Sequence, residues 1–194
     1  MKIGIFGGAF NPVHNGHINL LSSVLDNLPL EKVLIIPTKI SPHKDTVLID
    51  FSHRKKLLSI AFKGIRQAEI SDIEQREEGK SYTINTINAL KQIYTSDEFY
   101  LIIGGDMLLY FKNWYKYREI LAQCSVVAAA RHSDEYERLI KFSKELKGNI
   151  DVINANVVDM SSSLIREKIA ENQDVSGFMP AECVDYIKKH KLYS

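Results

Sequence analysis

Two histidines stand three apart near the start of the chain, in Gly7-Gly8-Ala9-Phe10-Asn11-Pro12-Val13-His14-Asn15-Gly16-His17. Residues at that spacing share one face of a helix. An imidazole placed there donates a hydrogen bond to a phosphate oxygen, or carries positive charge beside it. Gly7 and Gly8 lack side chains, so a ligand can approach the backbone closely. Farther on, Lys44 can meet a phosphate as a point charge. Ser162 and Ser163 suit a helix start, and Arg166 falls in or just after its first turn. A cation there opposes the helix dipole unless an anion neutralises it. Tyr82-Thr83 open another helix, whose free N–H groups suit a carboxylate. Asp106, after Gly104-Gly105, suits a ribose hydroxyl, with helix capping as the competing role. Trp114, followed by Tyr115, is the only tryptophan, and a lone tryptophan is more often core packing than a ligand platform. Taken singly, each has a plain structural reading: a surface histidine, a solvated lysine, a capped helix. Glycines, Asn-Pro and both histidines together weigh against that reading for residues 7–17.

These residues need elements to position them. Ile3, Ile5 and Phe6 form an apolar run that ends at Gly7-Gly8, as a buried strand ends at a turn. From Ile18 the period becomes helical through Leu21, Leu25 and Leu28, so Asn15, Gly16 and His17 fall in a first turn. A helix N-terminus after a strand binds anions. Residues 32–37 read as a second strand closed by Pro37, and residues 38–45 as a polar loop at its carboxyl end. Residues 52–64 read as a helix with Leu57, Leu58, Ala61 and Phe62 inward and Arg54, Lys55 and Lys56 as a solvated face. A short strand at 68–71 follows, then a charged loop at 72–80 with an irregular strand within it left open. Ile84, Ile87 and Leu90 mark the next helix, with Ser81 or Thr83 as its N-cap. Strands are expected at 99–103, 125–130 and 150–153, and a helix at 134–147. Arg131 follows a strand end, facing either nucleotide or solvent. A proline-started helix near Pro180 closes the chain.

Gly-Gly-Ala-Phe-Asn-Pro-Val-His-Asn-Gly-His resembles the signature of the nucleotidyltransferases that carry a His-x-Gly-His motif. Ala9 and Asn11 depart from the commoner hydroxyl residue and aspartate. Ser41-Pro42-His43-Lys44 is similar to a segment whose lysine lies near the phosphates. Met160-Ser161-Ser162-Ser163-Leu164-Ile165-Arg166 resembles the motif whose serine and arginine hold the ATP phosphates, with Met160 in place of isoleucine. Tyr82-Thr83, Gly104-Gly105-Asp106 and Trp114-Tyr115 resemble the nicotinate-nucleotide branch. There the Tyr-Thr backbone meets the nicotinate carboxylate and the indole stacks on the pyridine ring. The resemblance implies catalytic roles for His14, His17, Lys44 and Arg166. It implies an ATP site at Gly7, Gly8, Ala9, Phe10, His14, His17, Gly104, Asp106, Ser162, Ser163 and Arg166. It implies a nicotinate mononucleotide site at Lys44, Tyr82, Thr83, Trp114 and Tyr115. The implied reaction joins ATP and nicotinate mononucleotide to give nicotinic acid adenine dinucleotide and pyrophosphate, with Mg2+ held mainly by substrate phosphates and no protein metal ligand. Alternatives are another acceptor, nicotinamide mononucleotide or phosphopantetheine, and a nucleotide-binding regulator without chemistry.

Composition bounds these readings. Alternating strands and helices imply an α/β fold, a Rossmann-like parallel sheet with helices on both faces. A chain of 194 residues suits a single nucleotidyltransferase domain over 1–194, with 160–194 a helical part completing the site. The formal charge of +1 gives bulk electrostatics no hold on nucleic acid, so no nucleic-acid partner is expected. No apolar run approaches a membrane span, so no membrane is expected. Cys124 and Cys183 follow no metal spacing and read as buried thiols of a cytoplasmic protein. A homo-oligomer stays open. No Gly-Lys-Ser/Thr P-loop and no Gly-x-Gly-x-x-Gly is present, which argues against a dehydrogenase.

Overall fold

The computed structural model describes residues 1–40, 48–76, 79–155 and 160–194, so Lys44 lies outside the described residues. Its strands are β1 (Lys2–Gly8), β2 (Lys32–Pro37), β3 (Ala68–Ile70), β4 (Glu98–Gly104), β5 (Ser125–Ala130) and β6 (Ile150–Asn154). They form one parallel sheet in the order β3-β2-β1-β4-β5-β6. Strands covered on both faces read as continuous apolar runs, as Val33-Leu34-Ile35-Ile36 does. Alternation then divides each strand between two cores. β4 sends Phe99, Leu101 and Ile103 to one face and Tyr100 and Ile102 to the other.

Among the described residues, four helices cover one face: α1 (Asn15–Asn27), α2 (Phe51–Ala61), α7 (Ser162–Ala170) and α8 (Ala181–His190). Their core residues include Leu21, Val24, Leu57, Leu58, Ile165, Val184 and Ile187. Four cover the other: α3 (Thr83–Ile93), α4 (Gly105–Leu109), α5 (Tyr117–Gln123) and α6 (Ser133–Ser143). These contribute Ile84, Ile87, Leu90, Leu108, Ile120 and Leu139. The doubly wound arrangement expected from the sequence is present. Strand order reverses between β1 and β4, which opens a crevice at their carboxyl ends.

Several local expectations are corrected. Gly7 and Gly8 belong to β1, paired with Ile36 and Pro37, so the turn comes after them. Residues 72–80 contain a 3-10 turn at Ile73–Gln75, where Ile73 and Glu74 are buried. Glu74 accepts from Thr86 Oγ1 at 2.8 Å, which ties that turn to α3. Neither Ser81 nor Thr83 caps α3; Tyr82 holds the N-cap position. Ser81 Oγ instead accepts from the backbone N–H groups of Lys39 and Ile40, joining the chain after β2 to the start of α3. Pro180 is the N-cap of α8, one position before the expected one. Lys55 and Lys56 are solvated as expected, whereas Arg54 is buried at 2% exposure. Both cysteines are buried thiols, their pKa values pushed up to about 12 by desolvation.

Leu57 is fully buried beneath α2 and packs in the same core as α8. Leu57→Ala is expected to lower unfolding stability by about 2–5 kcal/mol, read as a shift in urea midpoint at unchanged slope.

Candidate active site

The strand β1 releases the chain at Gly8 into residues 9–14, and α1 begins at Asn15 with His14 as N-cap. Phe10 adopts a φ of +44, unusual for a bulky residue, and the Asn11-Pro12 bond is cis. The Phe10 ring is 1% exposed and packs on Phe6 and His17, with centroids 5.5 and 5.0 Å apart. Its side chain is therefore core, and only its backbone can meet a ligand. Gly8 is small because of that ring: an added Cβ would lie 3.1 Å from it. Gly7 faces open space.

His14 and His17 stack with ring centroids 3.8 Å apart. The His14 backbone N–H donates to His17 Nδ1 at 3.2 Å. With Nδ1 an acceptor, a neutral His17 ring carries its proton on Nε2, which leaves an N–H donor of defined tautomer. His14 Nδ1 is buried without a hydrogen-bond partner. Desolvation, then the Arg131 charge, lowers the His14 pKa to about 4. Desolvation, then His14, holds His17 well below the ordinary value. Of the two roles the sequence allowed, the hydrogen-bond donor is the one available at neutral pH in the free protein.

The start of α7 docks on this turn. Ser161 caps the helix by accepting from the Leu164 N–H, so Ser162 and Ser163 lie inside it. Ser162 Oγ donates to the Pro12 carbonyl at 2.8 Å. Arg166 Nη1 donates to the Asn11 carbonyl at 2.7 Å and Nη2 to Ser163 Oγ at 3.2 Å. The Gly16 N–H donates to Met160 Sδ at 3.3 Å, and a Cβ on Gly16 would crowd Met160 and the His14 ring. Thus His14, His17, Ser162, Ser163 and Arg166, distant in sequence, share one neighbourhood.

At the ends of β4 and β5, Gly104 is the N-cap of α4, so Asp106 does not cap it. Asp106 is largely exposed and lies 3.9 Å from Arg131 Nη2. Arg131, left open from the sequence, sits near enough to His14 to bias its titration. Arg131 and His132 also line a cavity of about 310 Å3 with Asp134, Glu135 and Arg138. On the other side of the strand ends, Tyr82 and Tyr115 bring their rings to 4.7 Å, and Trp114, partly buried, lies 5.0 Å from Phe111. Thr83 is the first residue of α3 beside them. Residues missed in the sequence are Arg54 and Tyr193, which bond to the histidine turn; an arginine in a lysine-rich run and a tyrosine in the tail carry no local signal of that role.

A cytidylyltransferase-like family model matches residues 5–168. The chain belongs to that family. It is 38% identical over 196 residues to a protein of Carboxydothermus hydrogenoformans named "probable nicotinate-nucleotide adenylyltransferase", covering 99% of this chain and 98% of the relative. A Fusobacterium nucleatum protein of the same name is 38% identical, with 99% of this chain and 100% of the relative covered. Among solved structures, Plasmodium falciparum nicotinic acid mononucleotide adenylyltransferase complexed with NaAD superposes with a TM-score of 0.84. At 19% identity, over 99% of this chain and 97% of that one, it shares the cytidylyltransferase-like fold.

The neutral histidines have a cost in acid. The His14 pKa of the folded chain, about 4, lies below the unfolded value of 6.5, so the unfolded chain binds more protons between them. Stability present above pH 6.5 is then lost as pH falls toward 4. Urea unfolding at pH 7.5 and pH 5 is expected to show a loss on the order of 2 kcal/mol, smaller in His14→Gln.

Proposed function

We infer that this chain is a nicotinate-nucleotide adenylyltransferase, an enzyme of NAD biosynthesis. It joins ATP to nicotinate mononucleotide and gives nicotinic acid adenine dinucleotide and pyrophosphate. The observation that carries this reading is the seating of the α7 start on the histidine turn, with Arg166 Nη1 2.7 Å from the Asn11 carbonyl. Full-length likeness to relatives bearing that enzyme name supports it.

The mononucleotide phosphate is already an oxyanion, so no general base is needed. One of its oxygens attacks the α-phosphorus of ATP in line and forms the new P–O bond. The bond from the α-phosphorus to its bridging oxygen breaks, and pyrophosphate leaves with the electron pair. Catalysis is positioning plus stabilisation of charge spreading onto phosphate oxygens. His17 serves as an Nε2–H donor to that charge, with His14 stacked behind it. Arg166 and Lys44 supply cationic donors. Gly7, Gly8, Ala9 and Phe10 offer backbone to the triphosphate, and Ser162 and Ser163 hold the α7 start against it. Gly104 allows Asp106 to accept from the ATP ribose. Tyr82 and Thr83 open α3 toward the nicotinate carboxylate, while Trp114 and Tyr115 stack on its ring. Residues 160–194 complete this site within one domain.

A divalent cation generally serves nucleotidyl transfer; here it is magnesium, carried in as MgATP. Among the described residues no group of three or more His, Cys, Asp or Glu side chains gathers to hold a metal. A hard cation of this kind would be coordinated mainly by the substrate phosphates and water. Held by the substrate phosphates, it would supply charge neutralisation at the leaving pyrophosphate. Among the described residues no helix is long and apolar enough to cross a membrane.

Incubation with ATP, magnesium and nicotinate mononucleotide should yield the dinucleotide by mass, with pyrophosphate released; a parallel reaction with nicotinamide mononucleotide should yield less. No product with either acceptor overturns the assignment. His17→Ala should lower kcat by about 10²–10⁴-fold with the circular dichroism spectrum retained.

Trp114 is the only tryptophan, so its fluorescence reports one position. Nicotinate mononucleotide should quench it saturably, and inorganic phosphate should not. Unchanged emission at saturating mononucleotide removes the stacking role.

A further inference from the structure

A backbone turn that receives a triphosphate must keep its own carbonyl oxygens from meeting it. In residues 9–12 the carbonyls of Ala9, Asn11 and Pro12 accept from donors on other elements. Arg54 Nη1 donates to the Ala9 carbonyl at 3.1 Å. Arg166 and Ser162 take the carbonyls of Asn11 and Pro12. The Asn11 side-chain oxygen accepts from Tyr193 Oη at 3.0 Å and from the Ile49 N–H at 3.3 Å. Arg54 and Tyr193 lie outside every set of ligand-contacting residues above.

We propose that Arg54 and Tyr193 are positioning residues for adenylyl transfer, holding residues 9–12 so that N–H groups and the His17 ring, rather than carbonyl oxygens, face the triphosphate. The proposal rests on residues 7–17 being the triphosphate site. Arg54 does more than bond one carbonyl. Nη1 also donates to the Thr38 carbonyl at 2.8 Å, and Nε to the Ile49 carbonyl at 3.2 Å. One guanidinium thus joins the chain leaving β1, the chain leaving β2 and the chain entering α2. Only a planar, multi-donor head reaches acceptors in this way; an ammonium is a single point.

Charge makes the arrangement directional. Arg54 is 2% exposed, and among the described residues no carboxylate pairs with it within 4 Å. Burying such a cation is costly. The three carbonyl dipoles and the more distant Asp50 and Glu74 charges offset part of that cost, and an anion in front of the turn would offset more. Tyr193 stays a neutral donor, because burial raises its pKa above the ordinary phenol value. The turn needs such restraint: Phe10, at φ +44, sits in a region that bulky residues avoid, and such a backbone persists only where its surroundings over-determine it.

The test compares Arg54→Lys, Arg54→Gln and Tyr193→Phe with the wild type, each below its melting temperature. Two quantities are read: steady-state KM for both substrates, and affinity for inorganic tripolyphosphate by calorimetry. Arg54→Lys keeps the charge and loses the fork. Both Arg54 variants should raise KM for ATP and the tripolyphosphate Kd together by about 10–100-fold, Tyr193→Phe by about threefold, with KM for the mononucleotide within about twofold. A merely structural role lowers kcat with the active fraction and leaves both KM values and the Kd in place; that result overturns the proposal. Should the Arg54 variants not fold, Tyr193→Phe decides by the same two readings. If the wild type forms no dinucleotide, the functional assignment falls, while the tripolyphosphate titration still decides the positioning role. A wild type that does not bind tripolyphosphate overturns the proposal.

Discussion

The structure depends on one constraint: the six residues between β1 and α1 carry buried carbonyls that need donors, and those of Ala9, Asn11 and Pro12 find them on distant segments. Backbone N–H and carbonyl groups cannot be left unpaired in a buried turn. Here Asn11, Pro12 and Val13 are all buried. Their carbonyl partners cannot come from the turn itself, whose conformation breaks the regular ladders on both sides. Ala9 is served by Arg54 of α2, Asn11 and Pro12 by Arg166 and Ser162 of α7, and the Asn11 side-chain oxygen by Tyr193 in the tail after α8. Three distant segments therefore have to be folded before this turn takes its observed form.

The same burial decides the electrostatics. Desolvation favours the neutral form of both histidines, so what they offer at neutral pH is N–H geometry rather than charge. Positive charge is supplied by arginines, which remain protonated when desolvated. Arg166 and Arg54 bond directly to the turn, and Arg131 stands across from it at the end of β5. Guanidinium groups held by carbonyls are fixed in direction, which suits a reaction whose charge moves between oxygens without a proton transfer.

Sheet topology supplies the remaining requirement, one edge for two ligands. Because all strands are parallel, Gly8, Pro37, Gly104 and Ala130 end on the same edge. The reversal of order between β1 and β4 puts the histidine turn beside the Gly104-Asp106 corner. The aromatic group of Tyr82, Trp114 and Tyr115 belongs to the elements of the opposite helical layer. A nucleoside triphosphate and a second nucleotide can thus approach from two layers toward one edge.

The sequence by itself determined the alternation of strands and helices, the two-sided burial of the sheet, and which short motifs resemble those of the family. Those are local or periodic properties: apolar runs, helical spacing, glycines before histidines, serines before an arginine. β2, read at 32–37, and β5, read at 125–130, have the observed limits because proline and a change of polarity mark their ends. The tertiary structure alone decided what each polar group bonds to. Arg54 reads as solvated among lysines because its partners, Ala9, Thr38 and Ile49, come from other segments. Ser81 suits a cap until the chain after β2 reaches it. The histidines look titratable until Phe10 and the core remove their water and the Arg131 charge opposes protonation of His14. Pairing and desolvation arise from contacts between remote residues, and no spacing along the chain encodes them.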